Sequence, residues 1–179
     1  TEWLQEAADR TGFPHGIVAY SDLSEPDVEA ELERHCQFQN MRGIRDFSYG
    51  DYLVRSDFQR GFALLEKFDL RPSMSVQWQD MEKLLALASK FSNITIVVDH
   101  TGSPTERNPE YFEKWKKGME TVAHADNIHC KISGLGMAEP NWTADSIRPI
   151  ASSRARWPAL SCITMSLKRN MPSTSSLPM

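Results

Sequence analysis

Cysteine is scarce: Cys36, Cys130 and Cys162 are scattered through 179 residues, none forms a CxxC pair, and one must stay odd. That excludes a disulfide framework and a four-cysteine zinc knot, and it predicts reduced thiols in a cytoplasmic setting. Long apolar runs are missing too. No stretch approaches the roughly 20 residues of a spanning helix, so no membrane partner is expected. The start, Thr1-Glu-Trp-Leu4, lacks a basic segment followed by an apolar one, so no secretory leader is expected. Positive charge is not in surplus. With 20 Lys and Arg against 24 Asp and Glu, the net charge is −4, and no basic stripe carries interleaved aromatics. Nucleic acid is therefore not an expected partner.

What is there is alternation. Helices are predicted at Trp3–Thr11, Pro26–Gln39, Phe58–Phe68, Met81–Phe91 and Glu110–Ala125. Short apolar strands fall between them, at Gly16–Asp22, Gly43–Asp46, Ser73–Gln77, Ile94–Val98 and Asn127–Ser133. Ser24 with Asp27 makes a start like a capping box; Asp57 and Asp80 are candidate N-caps, and Pro109 opens the fifth helix. In the fourth helix Leu84, Leu87, Ala88 and Phe91 form one stripe, as a helix lying on a sheet requires.

Repeated strand–helix units suit a doubly wound sheet or part of an eightfold barrel. The first strand leads into Tyr20-Ser-Asp-Leu-Ser24 rather than a Gly-rich phosphate turn, which disfavours the dinucleotide-binding version. Polar residues at every strand end (Asp22, Arg45 or Asp46, Gln77 and Gln79, His100, Ser133) favour the barrel. The expected fold class is α/β, a partial (β/α)8 TIM barrel over residues 1–150. Residues 151–179 break the pattern, for they hold no Asp, Glu or Gly, while all 24 acidic residues and all nine glycines precede them. Two explanations compete for that tail: a natural disordered extension, or an out-of-frame reading. The second fits better, because strand–helix alternation stops in mid-course.

The most informative stretch is Ile94-Thr-Ile-Val-Val-Asp-His-Thr-Gly-Ser-Pro104. A β-branched run that stops at two ionisable residues reads as a buried parallel strand with chemistry at its carboxyl end. Alternation groups His100 with Ile94, Ile96 and Val98, and Asp99 with Thr95 and Val97. Only one of the pair is expected to face a shared pocket, and His100 is the choice.

This strand end resembles the Asp-His-x-Gly-x-Pro signature of the amidohydrolase-related family of metal-dependent hydrolases, in its lactonase-like branch. Further likenesses follow in family order. Gly16-Ile-Val-Ala-Tyr-Ser-Asp-Leu23 is similar to the second-strand motif, Met41-Arg-Gly-Ile-Arg45 to the third, and Leu64–Leu70 to the helix and turn before the fourth. Asn127–Leu135 resembles the sixth, with its Lys-x-Ser-Gly-Leu. The resemblance covers residues 1 to about 150, approximately strands two to six. It implies a barrel that hydrolyses a lactone or related ring carbonyl, or, as the alternative, a metal-dependent decarboxylase. The family's first-strand His-x-His and eighth-strand Asp have no counterpart here. The resemblance therefore implies that this chain alone is an inactive, noncatalytic fragment that binds no cofactor, with a single divalent zinc conceivable only in a complete protein. The sixth-strand motif ends in Ser133-Gly134 where binuclear relatives place a histidine, which argues against a two-metal site.

Each candidate has a bland reading beside the chemical one. His100 could polarise a carbonyl or supply one metal ligand, or it could be a satisfied core histidine. Arg45 could clamp an anionic group, or simply pair with Asp46 or Asp22. Gln77, Gln79, Lys131 and Ser133 are candidate substrate-binding residues, with polar barrel lining or a buried ion pair as the ordinary explanation. Asp99 is read as structural, bonding the next loop or an arginine. His124, His129 and Cys130 look like zinc ligands only superficially, since a helix end and a strand aim them apart. The expected partner is a small molecule, a lactone or carboxylated ring compound.

Overall fold

The computed structural model describes residues 1–48 and 50–152. Five strands form one sheet: β1 (Ile17–Tyr20), β2 (Met41–Arg45), β3 (Arg71–Met74), β4 (Ile96–Val98) and β5 (Ile128–Cys130). They are all parallel and lie side by side in chain order. This is the partial TIM-barrel arrangement expected, without the strand-order reversal of a doubly wound sheet. Helices α2 (Val28–Cys36), α3 (Ser56–Lys67), α4 (Met81–Lys90) and α5 (Pro109–Val122) make the crossovers; α1 (Glu2–Thr11) precedes them. A further helix, α6 (Ala144–Ser152), was not expected, and it continues two residues past Ile150. The remainder of the tail, from residue 153, lies outside the described residues.

Four strands end earlier than predicted, whereas β4 ends at Val98 as expected but begins two residues late, at Ile96. Gln77 and Ser133 belong to the loops that follow β3 and β5, because the polar residues leave the ladder before the motif ends. Asp57 is not the N-cap of α3. The helix starts one residue earlier, at Ser56, and Asp57 instead accepts from its neighbour Phe58 N (2.7 Å) and pairs with Arg55. Asp80 does occupy the N-cap position of α4, and Asn108 caps α5 by accepting from Tyr111 N at 2.8 Å, with Pro109 in its first turn.

Pairing assigns the two faces of the sheet. Ala19 lies beside Ile44, and Val98 between Met74 and Cys130. These side chains, with Ile17, Ile96 and Ile128, meet the apolar stripes of the helices. The stripes are supplied by Phe58, Phe62 and Leu65 of α3, Met81, Leu84 and Leu87 of α4, and Trp115 and Met119 of α5. Burying a side chain such as Phe62 contributes about 1.5–3 kcal/mol. Packing is tight where α3 crosses the β1–α2 loop: a Cβ on Gly61 would lie 2.0 Å from the Leu23 carbonyl oxygen. The Asn127 carboxamide donates to the carbonyls of Ala88, Phe91 and Ile94 (3.0, 3.2 and 3.1 Å), pinning the end of α4 against the start of β5. Among the described residues no helix is long and apolar enough to cross a membrane.

Candidate functional site

The face turned away from the helices carries the polar residues. Tyr20 pairs with Arg45, Arg45 with Ser73, and Ser73 with Val97, whose other partner is His129. Two residues beyond Val97 and His129, at the same carboxyl end, come Asp99 and Lys131. Asp99 is fully buried and is the hub of the group. Arg45 Nη1 donates to its Oδ2 at 2.5 Å, and Lys131 Nζ donates to its Oδ1 at 2.7 Å. The Ser73 hydroxyl lies 2.8 and 2.9 Å from the two carboxylate oxygens, and Lys131 Nζ also donates to Ser73 Oγ at 2.8 Å. One carboxylate thus sits between two cations, and the group keeps a net charge of about +1. Both cations reach the open face, with their side chains 28% and 27% exposed. The partner of Arg45 is therefore Asp99. Asp46 instead accepts from the backbone of Leu23 and Ser48, and Asp22 from that of Ser24, so neither offers the ion pair weighed for Arg45.

The register corrects the face assignment. Ile96 and Val98 point to the helices, so simple alternation brings Asp99, not His100, onto the Arg45 face. His100 reaches the mouth by another route. The ladder ends at Val98, and residues 100–103 form a left-handed turn with φ of 52, 53, 70 and 47°. For each of the three non-glycine residues that conformation costs about 1–2 kcal/mol. The turn is gripped on all sides. Thr101 N donates to Lys131 O (2.9 Å), Ser103 N to His100 O (2.9 Å), and the buried Trp115 indole to Thr101 O (2.8 Å). Gly102 is packed against Met119 and Met81, where a Cβ would come within 2.7 and 2.9 Å of their side chains. The His100 ring, half-buried, bonds Ser133 Oγ through Nδ1 at 3.0 Å and lies against Gly134. That bond does not engage Nε2. When Ser133 donates to Nδ1, Nε2 bears the proton; when Nδ1 donates, Nε2 is an acceptor or a ligand.

Of the residues named from sequence, Arg45 and Lys131 meet on Asp99, while His100 and Ser133 meet each other. Gln77 and Gln79 are exposed in the segment after β3; Gln79 lies in a 3-10 turn, so the two do not share a strand face. Ser73 and Ser75 escaped notice, yet Ser75 accepts from Arg45 Nη2 at 3.1 Å. So did an exposed aromatic stack beside Arg45. Tyr20 and Phe47 lie 5.7 Å apart at 29°, with the Arg45 guanidinium 4.9 Å from the Phe47 centroid. Pairing of β1 with β2 sets Tyr20 beside Arg45, and that pairing has no local sequence signal.

His124 is exposed past the end of α5, His129 faces the Asp99 side, and Cys130 is buried on the helix side, so the three do not converge. Burial pushes the Cys130 thiol up to about 12, which makes it a poor ligand and a poor nucleophile. Among the described residues no group of three His, Cys, Asp or Glu side chains is placed to hold a metal ion. His100 offers one ligand, and the oxygens of Asp99 are taken by Arg45, Lys131 and Ser73. The described residues do not by themselves compose a zinc centre.

Residues 1–157 match the model of the amidohydrolase family. The chain is 40% identical over 161 residues to the Sinorhizobium fredii protein y4mH, covering 83% of this chain and 54% of that one. It is 29% identical over 139 residues to an L-fucono-1,5-lactonase of Burkholderia ambifaria, covering 75% and 48%. It thus spans about half the length of these curated relatives. An amidohydrolase of Burkholderia multivorans, solved with bound zinc, superposes with a TM-score of 0.73 at 23% identity, over 86% of this chain and 57% of that one. A second crystal form of that protein, with bound HEPES, gives 0.71. The parallel barrel segment, the Asp99-His100 strand end and the match over most of its length show that this chain belongs to the amidohydrolase family, with a lactonase among its relatives.

Proposed function

We propose that the complete protein hydrolyses a lactone, with the mouth formed by β2 to β5 as its site. The observation that carries this reading is the convergence of His100–Ser133 and the Arg45–Asp99–Lys131–Ser73 group at the carboxyl ends of parallel strands, where barrels do their chemistry. His100 Nε2 polarises the ring carbonyl, with Ser133 setting which nitrogen bears the proton. Arg45 and Lys131, one positive charge in excess over Asp99, hold an anionic group or the alkoxide that leaves. Gln77 and Gln79, exposed beyond β3, are offered as contacts to substrate hydroxyls. Zinc bound in the complete protein would supply an activated water; were His100 Nε2 a ligand to it, the imidazole would hold the metal in place of the carbonyl. The residue set between 1 and 152 leaves the remaining ligands to other parts of the barrel. The Cys36 and Cys130 thiols support a reducing, cytoplasmic location, and the tail after Ile150 is proposed to be foreign to the barrel.

The test is hydrolysis of a panel of sugar and muconate-type lactones by two proteins: this chain, and this chain completed with the remaining strand–helix units of y4mH. The completed protein should turn over at least one lactone, and His100→Asn should abolish it. The 179-residue chain alone should stay at the buffer rate. Enzyme-like turnover by that chain, lost on His100→Asn, would overturn the assignment of essential groups to other strands. Release of carbon dioxide from an unsaturated acid, with no lactone opened, would favour the decarboxylase instead.

A further inference from the structure

Four consecutive positive φ values are too many for a chain to adopt unaided, especially when one of the residues is the β-branched Thr101. The left-handed turn is what swings His100 away from the helix-facing side that alternation would assign it. Whatever holds that turn aims the imidazole. Three holds are local or lie on neighbouring strand ends: Ser103 N to His100 O, Thr101 N to Lys131 O, and His100 Nδ1 to Ser133. One comes from the far side of the sheet. Trp115, on α5, is 1% exposed, and its indole N–H donates to the Thr101 carbonyl at 2.8 Å. No polar group is needed at a position otherwise filled by apolar packing against Phe112 and Met119. An unmet indole N–H buried there would be costly, so the bond ties the ring and the turn together.

We infer that Trp115 is a positioning residue for His100: its indole draws the Thr101 carbonyl toward the helix layer, locks residues 100–103 left-handed, and so presents the imidazole to the mouth beside Ser133. The inference rests on the reading of His100 as a site residue, but it is read out without turnover, so the two can fail separately. Trp115 touches no reacting atom and acts only through the turn.

The test uses the 179-residue chain with 15N-labelled histidine at fixed pH. Trp115→Phe keeps a buried ring and removes the donor. In the unaltered chain the Ser133 bond biases the His100 tautomer. In Trp115→Phe that bias should relax toward free imidazole by about twofold or more, while His15 and His35 keep their signals. Adding Thr101→Gly should restore the native His100 signals, since glycine takes positive φ without being held. A purely structural tryptophan would not be rescued by relieving the backbone cost of positive φ at residue 101. An unchanged His100 in Trp115→Phe, or no recovery in the double variant, would overturn the inference. Should Trp115→Phe fail to fold, hydrogen exchange of the unaltered chain decides. The Trp115 indole proton and the Thr101 and Ser103 amides should be protected together. A freely exchanging indole beside protected amides would refute the coupling.

Discussion

Replacing Asp99 by Asn removes one negative charge while keeping the shape of the side chain and a hydrogen bond to Ser73. The carboxylate is fully buried and holds Arg45 at 2.5 Å and Lys131 at 2.7 Å. At an effective dielectric near 20, each such pair has a gross attraction of about 4 kcal/mol at a charge separation of about 4 Å. Much of that is offset by desolvation, but breaking a buried pair from one side still costs about 3–5 kcal/mol, because the surviving charge is stranded. Here two cations are stranded, yet both are about a quarter exposed and can partly rehydrate. The expected loss is therefore near the lower end, about 3 kcal/mol, out of a total stability of about 5–15 kcal/mol for a domain. Urea unfolding followed by circular dichroism measures it, with the slope unchanged between the two proteins. A second substitution sharpens the argument. Lys131→Met in the Asp99→Asn background removes one stranded cation, so the double variant should be less destabilised than the sum of the singles, by about 0.5–3 kcal/mol. A loss below about 1 kcal/mol for Asp99→Asn, with additive singles, would refute the idea that this carboxylate organises the face.

Three further outcomes are expected. Gly61→Ala should cost about 1–3 kcal/mol in the same assay, because its Cβ would press within 2.0 Å of a backbone oxygen that cannot swing away. Cys130 should resist thiol reagents in the native chain, and its burial should make stability depend on alkaline pH. Its thiol is raised from 9.0 to about 12 on folding, so the contribution is full below pH 9 and lost as pH climbs toward 12, where the unfolded thiol ionises first. Midpoints that stay flat from pH 8 to 11 in wild type relative to Cys130→Ala would count against this. Elemental analysis of the dialysed chain should find far less than one zinc per molecule, since His100 stands without companion ligands among the described residues.

Much of the architecture was open to reading from local pattern. β-Branched runs and helical stripes recur at barrel spacing, and every predicted strand and crossover helix has a counterpart within a few residues. The faces were not. In Ile94–Val98 both sides are apolar, so periodicity pairs His100 with Ile96 and Val98 without saying which side meets the helices. Only the pairing of Val97 with Ser73 and His129 breaks that symmetry, and it joins residues more than 20 apart in the chain. The same non-locality hid Asp99 as the partner of Arg45, 54 residues away. Helix α6 was missed for a different reason. Pro149 lies in its interior, where proline ordinarily breaks a helix, whereas Thr143 and Ser146, whose reciprocal bonds open it, were the available signal.

The Asp99 group also bears on how the sheet avoids assembling wrongly. A parallel sheet built from short Ile- and Val-rich strands is forgiving of slippage, because a shift by two residues leaves apolar side chains on the same faces. The ionic group is not forgiving. Its members come from the ends of β2, β3, β4 and β5, and a slip of two residues, nearly 7 Å, would carry a charge, or in β3 the Ser73 hydroxyl, out of reach of its partner. Only one alignment of four strands satisfies the buried carboxylate, so every other alignment is penalised by an unpaired charge. The residues proposed for chemistry thus double as a proofreading device for strand alignment. Neutralising them by substitution should blur the structure of the sheet as well as silence the site.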